Sequence, residues 1–194
     1  IDNAAGAPGS AVSITNTSAG GGRVYVNSGN ITDSAGNGIF VQNATAAIQN
    51  TTIDSPFSNG VLAQAFGGQT TTVSFTGGII TGAGNDGALV QASGGGIVNA
   101  TVAQNSIDVL LNPVEAIVLD APSQILLDAI NNFGTGGGPP TVGNIVLNNS
   151  GGGVLGISQA TVPDVSTTNS SATVVDTGVI TTGQTVPVPP PPTP

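Results

Sequence analysis

The sequence predicts an all-β protein that folds as a right-handed parallel β-helix solenoid of about six or seven rungs, each 22 to 28 residues long. Three observations indicate this: a repeated apolar segment, a turn sequence that recurs in phase with it, and a composition that disfavours helices. Glycine accounts for 30 of 194 residues, and β-branched residues dominate the apolar set. We therefore expect little helix and no amphipathic helix capping either end.

The apolar repeat is a six-residue segment that begins with an aliphatic or aromatic residue and, in its first four copies, ends with an aliphatic one. Successive copies begin 22, 27, 22 and 28 residues apart. One turn of a β-helix with short strands and bends needs about that many residues. The copies begin at Val26, Ile48, Phe75, Ile97 and, more loosely, Ile125.

A turn sequence recurs eleven residues after each of the first four starting positions. It places Asn37, Asn59, Asp86 and Asp108 in one row, and glycine follows the first three. Asn-Gly and Asp-Gly favour turns because both residues tolerate positive φ. We predict a ladder of turn residues whose side-chain amides hydrogen-bond between rungs about 4.8 Å apart. The alternative is a calcium site, because Asp86 and Asp108 would stack as like charges.

Strands follow these turns, and the alternation of side chains along them separates core from surface. The predicted core includes Ile39, Val41, Val61, Val90 and Leu110. The residues between core positions are predicted to point outward and to form an exposed apolar row: Phe40, Leu62, Leu89 and Leu111. Such a row indicates an interface. The alternative is cover by a loop or the C-terminal segment, or a bend that turns these side chains inward.

The chain divides into three expected segments. Residues 1–10 form an N-terminal segment, 11–186 the β-helix, and 187–194 a Pro-rich tail or linker in polyproline II conformation. Strands are expected over 145–147 and 154–157, with a faint copy of the repeat over 174–180. The chain opens at Ile1 and shows no signal peptide, which favours a processed form or a segment of a longer protein.

The composition excludes several chemistries. The chain has no Cys and no His, so a Ser-His-Asp triad and thiolate or imidazole metal sites are excluded, and we predict no catalytic residue, metal or cofactor. A net charge of −9 with one basic side chain argues against nucleic acid. No apolar run approaches the roughly 20 residues of a membrane span. The charged fraction of 6% is typical of secreted fibres and solenoids.

The repeated strand, turn and Asn-Gly pattern resembles the pectin-lyase-like superfamily of right-handed parallel β-helices. The resemblance covers residues 10–130 clearly and 140–182 weakly. It implies the fold, and a function among polysaccharide lyases and hydrolases, tailspikes, autotransporter passengers and other bacterial surface proteins. β-Helix lyases use Arg or Lys near acidic calcium ligands, a role that Arg23 cannot fill alone.

Hydrolases of this fold use clustered Asp residues. The best candidates are Asp33 and Asp54, at nearly the same phase of neighbouring rungs. Glu115 and Asp120 lie five residues apart in what looks like one strand, about 16 Å at 3.3 Å per residue, beyond the reach of glycosidase pairs. Solvated loop carboxylates are the simpler interpretation of all four.

These observations lead to three functional hypotheses. The first is an extracellular or cell-surface structural protein that assembles with copies of itself into a filament or surface layer. The second is an adhesin or glycan-binding stalk module, whose partner would be a cell-surface glycan. The third is a polysaccharide-degrading enzyme.

Overall fold

Successive rungs of the chain pair strand on strand, in parallel, along three sheets. The computed structural model describes residues 9–16, 23–134, 144–169 and 173–190. It shows a nearly all-β parallel solenoid of about 6 turns with 4% helix. The predicted fold class is therefore confirmed.

Each full rung contributes one strand to each sheet, and we number the rungs by their strand in sheet 1. Sheet 1 contains β1 (Val12–Thr15), β4 (Ile39–Gln42), β7 (Val61–Ala65), β10 (Ala88–Ala92), β13 (Val114–Val118), β16 (Asn144–Asn148) and β18 (Thr173–Thr177). Sheet 2 contains β2 (Arg23–Asn27), β5 (Thr45–Gln49), β8 (Thr70–Thr76), β11 (Ile97–Ala103), β14 (Gln124–Ile130), β17 (Val154–Ile157) and β19 (Ile180–Thr181). Sheet 3 contains β3 (Asn30–Thr32), β6 (Thr52–Asp54), β9 (Ile79–Ala83), β12 (Ser106–Val109) and β15 (Phe133–Gly134).

The core is built from aliphatic side chains that stack directly on one another. In sheet 3, one register row consists of Ile31, Ile53, Ile80 and Ile107, all at most 2% exposed. β-Branched side chains suit this position because they fill the pleated surface of a strand with few rotamers to lose.

Four of the five core positions predicted from sequence are buried: Ile39, Val41, Val61 and Val90. The fifth prediction, Leu110, is wrong, since this residue is 56% exposed. It lies in the corner before β13, and Val114 occupies the core position in register with Ala88.

The repeat register predicted from Ile97 onward is also wrong. Phe75 pairs with Val102 and not with Ile97, because β8 and β11 are seven-residue strands and Ile97 stands at the start of β11. Ile125 pairs with Val98, one residue from its predicted partner. At the corner that leads into sheet 1, equivalent residues are Asn59, Asp86 and Asn112. Asn59 and Asp86 are 27 residues apart, and Asp86 and Asn112 are 26 apart.

The corner between sheets 2 and 3 depends on one left-handed residue in each of rungs 1 to 5. The backbone φ angles there are 56° at Ser28, 49° at Asn50, 63° at Gly77, 59° at Gln104 and 56° at Asn131. Asn and Gly tolerate this region best. Because these residues turn the chain at the same place in each rung, the strands on both sides remain in register.

A short helix, α1 (Val162–Thr168), contradicts the expectation that no helix caps the solenoid. Thr161 and Asp164 form a reciprocal capping box at its start, a local signal that the repeat analysis did not use. Val165 is fully buried and joins the core, and the helix contacts β14 and β18. The helix therefore covers part of the C-terminal end.

The segment after β19 lies on the outer face of sheet 2. The backbone amide of Gln184 donates to the Ile157 carbonyl at 2.9 Å, and the Tyr25 hydroxyl donates to the Pro190 carbonyl. The tail thus runs from rung 6 back to rung 1, along a face other than that of the predicted apolar row. Residues 1–8 of the expected N-terminal segment and 191–194 of the tail lie outside the described residues.

Among the described residues, no helix has the length and apolar character needed to cross a membrane.

The stacked core gives a direct stability prediction. Val61→Asp places an unpaired charge between packed rungs, and we expect a loss of about 3–5 kcal/mol in the free energy of unfolding. Gln64→Asp, on the outer face of the same strand, is the control and should change stability by no more than about 0.5 kcal/mol. Chemical denaturation measures both. Equal midpoints for the two variants would contradict the register of sheet 1.

Candidate functional site

A ladder of polar side chains runs along the corner that leads into sheet 1, and we call it the corner ladder. Its members are Asn37, Asn59, Asp86 and Asn112. The Asn59 Nδ2 donates to the Asn37 Oδ1 at 2.9 Å, and the Asn112 Nδ2 donates to the Asp86 Oδ1 at 3.0 Å. Backbone amides also donate to the ladder oxygens, as from Asp86 to the Asn59 Oδ1 at 3.1 Å. Three of the four residues predicted from sequence are thus brought together.

The fourth predicted member of the ladder, Asp108, is wrong. It lies in β12, in register with Thr81, and its side chain is exposed on sheet 3. The prediction counted eleven residues from Ile97, which is itself out of register. Asn112 takes the place of Asp108, so the two acids do not stack and the calcium alternative built on them loses its basis.

Asp86 forms a close carboxyl pair with Glu115 of β13. The Nδ2 of Asn112 contacts both groups, at 3.0 Å from the Asp86 Oδ1 and 3.0 Å from the Glu115 Oε2. Burial raises the pKa of Asp86, which is 5% exposed, although the hydrogen bonds from Asn112 oppose this shift. Burial also raises the pKa of Glu115, and the negative charge of Asp86 raises it further. Sequence analysis did not pair these two residues.

The predicted apolar row on sheet 1 is present in part. Phe40, Leu62 and Leu89 lie in register on the outer face of three consecutive strands, each half-buried. Leu111 does not belong to the row, because it lies in the corner beside Asn112 and is 50% exposed there. Glu115 occupies the next position of the row. Val146 and Val175 then continue it through rungs 6 and 7.

A second polar ladder, which sequence analysis missed, lies inside the solenoid, and we call it the inner ladder. It consists of Asn105, Asn132 and Asn169, all at most 2% exposed. The Asn105 Nδ2 donates to the Asn132 Oδ1, and the Asn132 Nδ2 donates to the Asn169 Oδ1, both at 2.9 Å. A signal was available, since Asn105 and Asn132 are 27 residues apart. The third member does not show this period, because the next interval, which includes the helix and a longer connection from β15 to β16, is 37 residues.

The other carboxylates do not converge. Asp54 is in register with Thr32, one residue from Asp33, and its Oδ1 accepts from the Thr81 hydroxyl at 2.7 Å. Asp120 lies in the corner after β13, where hydrogen bonds from the Ser123 hydroxyl and the Gly94 amide lower its pKa. Within the described ranges, no three His, Cys, Asp or Glu residues are placed to hold a metal ion.

A shallow pocket of about 240 Å³ opens at the corner between sheets 1 and 2 in the first three rungs. Its lining residues are Asn16, Gln42, Asn43, Phe66, Gly67 and Gln69. Phe66 is 44% exposed, and its backbone amide donates to the Asn43 Oδ1 at 3.2 Å. The pocket therefore combines an aromatic ring with amide side chains and carries no charged residue.

The fold and these sites define the chain as a parallel β-solenoid. Comparison with protein-family models, with curated proteins and with solved structures found no match.

The inner ladder yields a prediction about stability. Asn132→Ala removes one of the two acceptors of the buried Asn105 Nδ2 and the side-chain donor to the Val102 carbonyl, and we expect a loss of about 1–3 kcal/mol in the free energy of unfolding. Gln91→Ala on the outer face of sheet 1 is the control, with an expected change within about 0.5 kcal/mol. Thermal or urea unfolding of both variants checks this. An unchanged Asn132→Ala protein would show that the inner ladder contributes nothing to stability.

Proposed function

We propose that this chain is an extracellular structural protein that assembles with copies of itself into a filament or surface layer. We also propose that it belongs to the non-enzymatic bacterial surface proteins of the pectin-lyase-like superfamily. The observation that carries the proposal is the uninterrupted stack of parallel strands, seven in sheet 1 and seven in sheet 2. A stack of this kind presents a strand at each end that a second copy can extend in the same pattern.

The C-terminal end supports contact between copies despite its helix. α1 buries Val165 over part of the core, but Val174 of β18, in register with the buried Ile145, is only half-buried. A complete cap with a polar outer face would be expected of a solenoid that remains monomeric. In the proposed filament, β18 and β19 of one copy face β1 and β2 of the next.

Lateral contact is the second element of the proposal. Phe40, Leu62 and Leu89 form a short apolar row, and the described part of the tail contacts sheet 2 instead of covering it. Because these side chains are already half-buried, their further burial contributes only a few kcal/mol before association entropy is subtracted. Such contacts would hold where many subunits repeat them, as in a layer.

The charge pattern is compatible with both contacts. The chain carries one basic and ten acidic residues. The strands of sheet 1 up to β16 contain a single charged residue, Glu115. Repulsion between copies is therefore weak on this face and is screened further by salt.

Assembly is tested by light scattering across a concentration series and by electron microscopy. We expect scattering to rise with concentration, and filaments to show an axial repeat of about 30–35 Å, since sheet 1 stacks seven strands about 4.8 Å apart. A protein that stays monomeric at high concentration would contradict the proposal and favour the adhesin module.

Variants separate lateral from end-to-end contact. Leu62→Lys and Leu89→Lys should reduce lateral association of filaments several-fold, because each places a charge in the apolar row. Ser106→Lys, exposed on sheet 3, is the control and should behave like the parent. If all three variants reduce association equally, added charge and not the row is responsible.

A glycan-binding module is a second candidate, favoured by the pocket around Phe66. Sugars bind to aromatic faces flanked by amides, and this pocket offers both without charge. We expect Phe66→Ala to abolish binding to neutral glycans on an array, whereas Phe57→Ala, which removes an exposed ring elsewhere, leaves it unchanged. Binding that survives Phe66→Ala would exclude this pocket. Cleavage of a bound polysaccharide that disappears in Asp33→Asn or Asp54→Asn would instead favour the enzyme hypothesis.

A further inference from the structure

We propose that Asp86 and Glu115 form a proton-dependent link between rungs 3, 4 and 5, which stabilises the fold in mild acid and destabilises it as the pH rises. The proposal concerns the single chain and does not depend on assembly.

The corner ladder needs a hydrogen-bond donor on each rung. Asn59 donates its Nδ2 to Asn37, and Asn112 donates its Nδ2 to Asp86. Asp86 occupies the equivalent position but has a carboxyl oxygen where the other rungs have an amide nitrogen. By analogy with the other rungs, we expect this oxygen to face the Asn59 Oδ1, an acceptor that already receives the Asp86 backbone amide at 3.1 Å. Protonation of Asp86 supplies the missing donor, whereas ionisation places two acceptors against each other.

The surroundings of Asp86 offer no counter-charge. The corner segments 55–60 and 110–113 hydrogen-bond to the corner that holds Asp86, and Glu115 lies in β13 between β10 and β16; these segments and strands contain only two charged residues, Asp86 and Glu115. The only basic residue in the sequence is Arg23, in β2 of rung 1. Two negative charges at this buried corner would therefore repel without compensation.

Glu115 shares the same donor as Asp86. The single Nδ2 of Asn112 lies 3.0 Å from an oxygen of each carboxyl group. One proton, carried by Asp86, removes the repulsion between the two acids and leaves an oxygen of each bound to Asn112. The pair thus takes up a proton more readily in the folded chain than in the unfolded chain, where the two groups are separate and solvated.

The direction of the pH dependence follows from this difference. Burial raises the pKa of both groups in the fold. Their contribution to stability is therefore complete below the unfolded values and is lost as the pH rises through the folded values. Asp120, whose pKa is lowered, acts in the opposite sense, with stability lost as the pH falls. The difference between the parent and a variant without Asp86 isolates the pair.

The test is thermal unfolding of the dilute, monomeric chain between about pH 4.5 and pH 8.5. We expect the unfolding temperature of the parent to fall by at least about 2 °C from mild acid to pH 8.5. Asp86→Asn restores an amide at this rung, so it should flatten the profile and raise the unfolding temperature at the alkaline end. Glu115→Gln should reduce the slope. Asp108→Asn removes an exposed charge and should follow the parent.

A local measurement keeps the proposal testable if a variant fails to fold. The Gly60 amide donates to the Asp86 carbonyl at 3.0 Å and the Gly87 amide to the Asn112 carbonyl at 2.8 Å. Hydrogen exchange at these two amides, corrected for its intrinsic pH dependence, should be more protected in acid in the parent chain. A parent profile that is flat or rises with pH, or a slope unchanged in Asp86→Asn, would overturn the proposal.

Discussion

The hydrogen bonding of each rung to the next is the constraint on which the rest of this structure depends. A parallel solenoid stacks the residues of paired strands directly above one another, so each position in a strand must suit a neighbour of its own kind. Four isoleucines meet this requirement in sheet 3, and three asparagines meet it in the inner ladder. Asparagine suits a buried stack because one amide both donates and accepts, which satisfies the polar group on each side.

The same constraint makes a single acid within the ladder an exception. A carboxylate accepts but cannot donate, so Asp86 breaks a pattern that its neighbours Asn59 and Asn112 maintain. Glutamate at position 115 breaks the apolar row in the next rung. The two exceptions are neighbours, because Asn112 contacts both carboxyl groups, which makes them one feature and not two. A regular architecture thus reveals its unusual residues by comparison with its own copies.

Sequence reasoning identified the architecture because stacking imposes a period that composition and spacing display. It placed Asn37, Asn59 and Asp86 together and put Val61 in the core. It failed from Ile97 onward because this residue, at the start of the long strand β11, also fits the apolar pattern, so the fixed offset was counted from the wrong residue. Which carboxyls meet depends on three-dimensional packing that a period does not contain, whereas the helix near the end has its own local signal in the capping box of Thr161 and Asp164.

The course of the C-terminal tail has a consequence for how the molecule comes apart. A linear stack normally frays from its ends, one repeat at a time, because each repeat is held only by its neighbours. Here the hydroxyl of Tyr25, in β2 of rung 1, donates to the carbonyl of Pro190, 165 residues later in the chain. The tail thus connects the first and last rungs, and we expect that opening one end of the solenoid also disturbs the other. We therefore expect part of the cooperativity along the axis to come from a segment that contributes no strand.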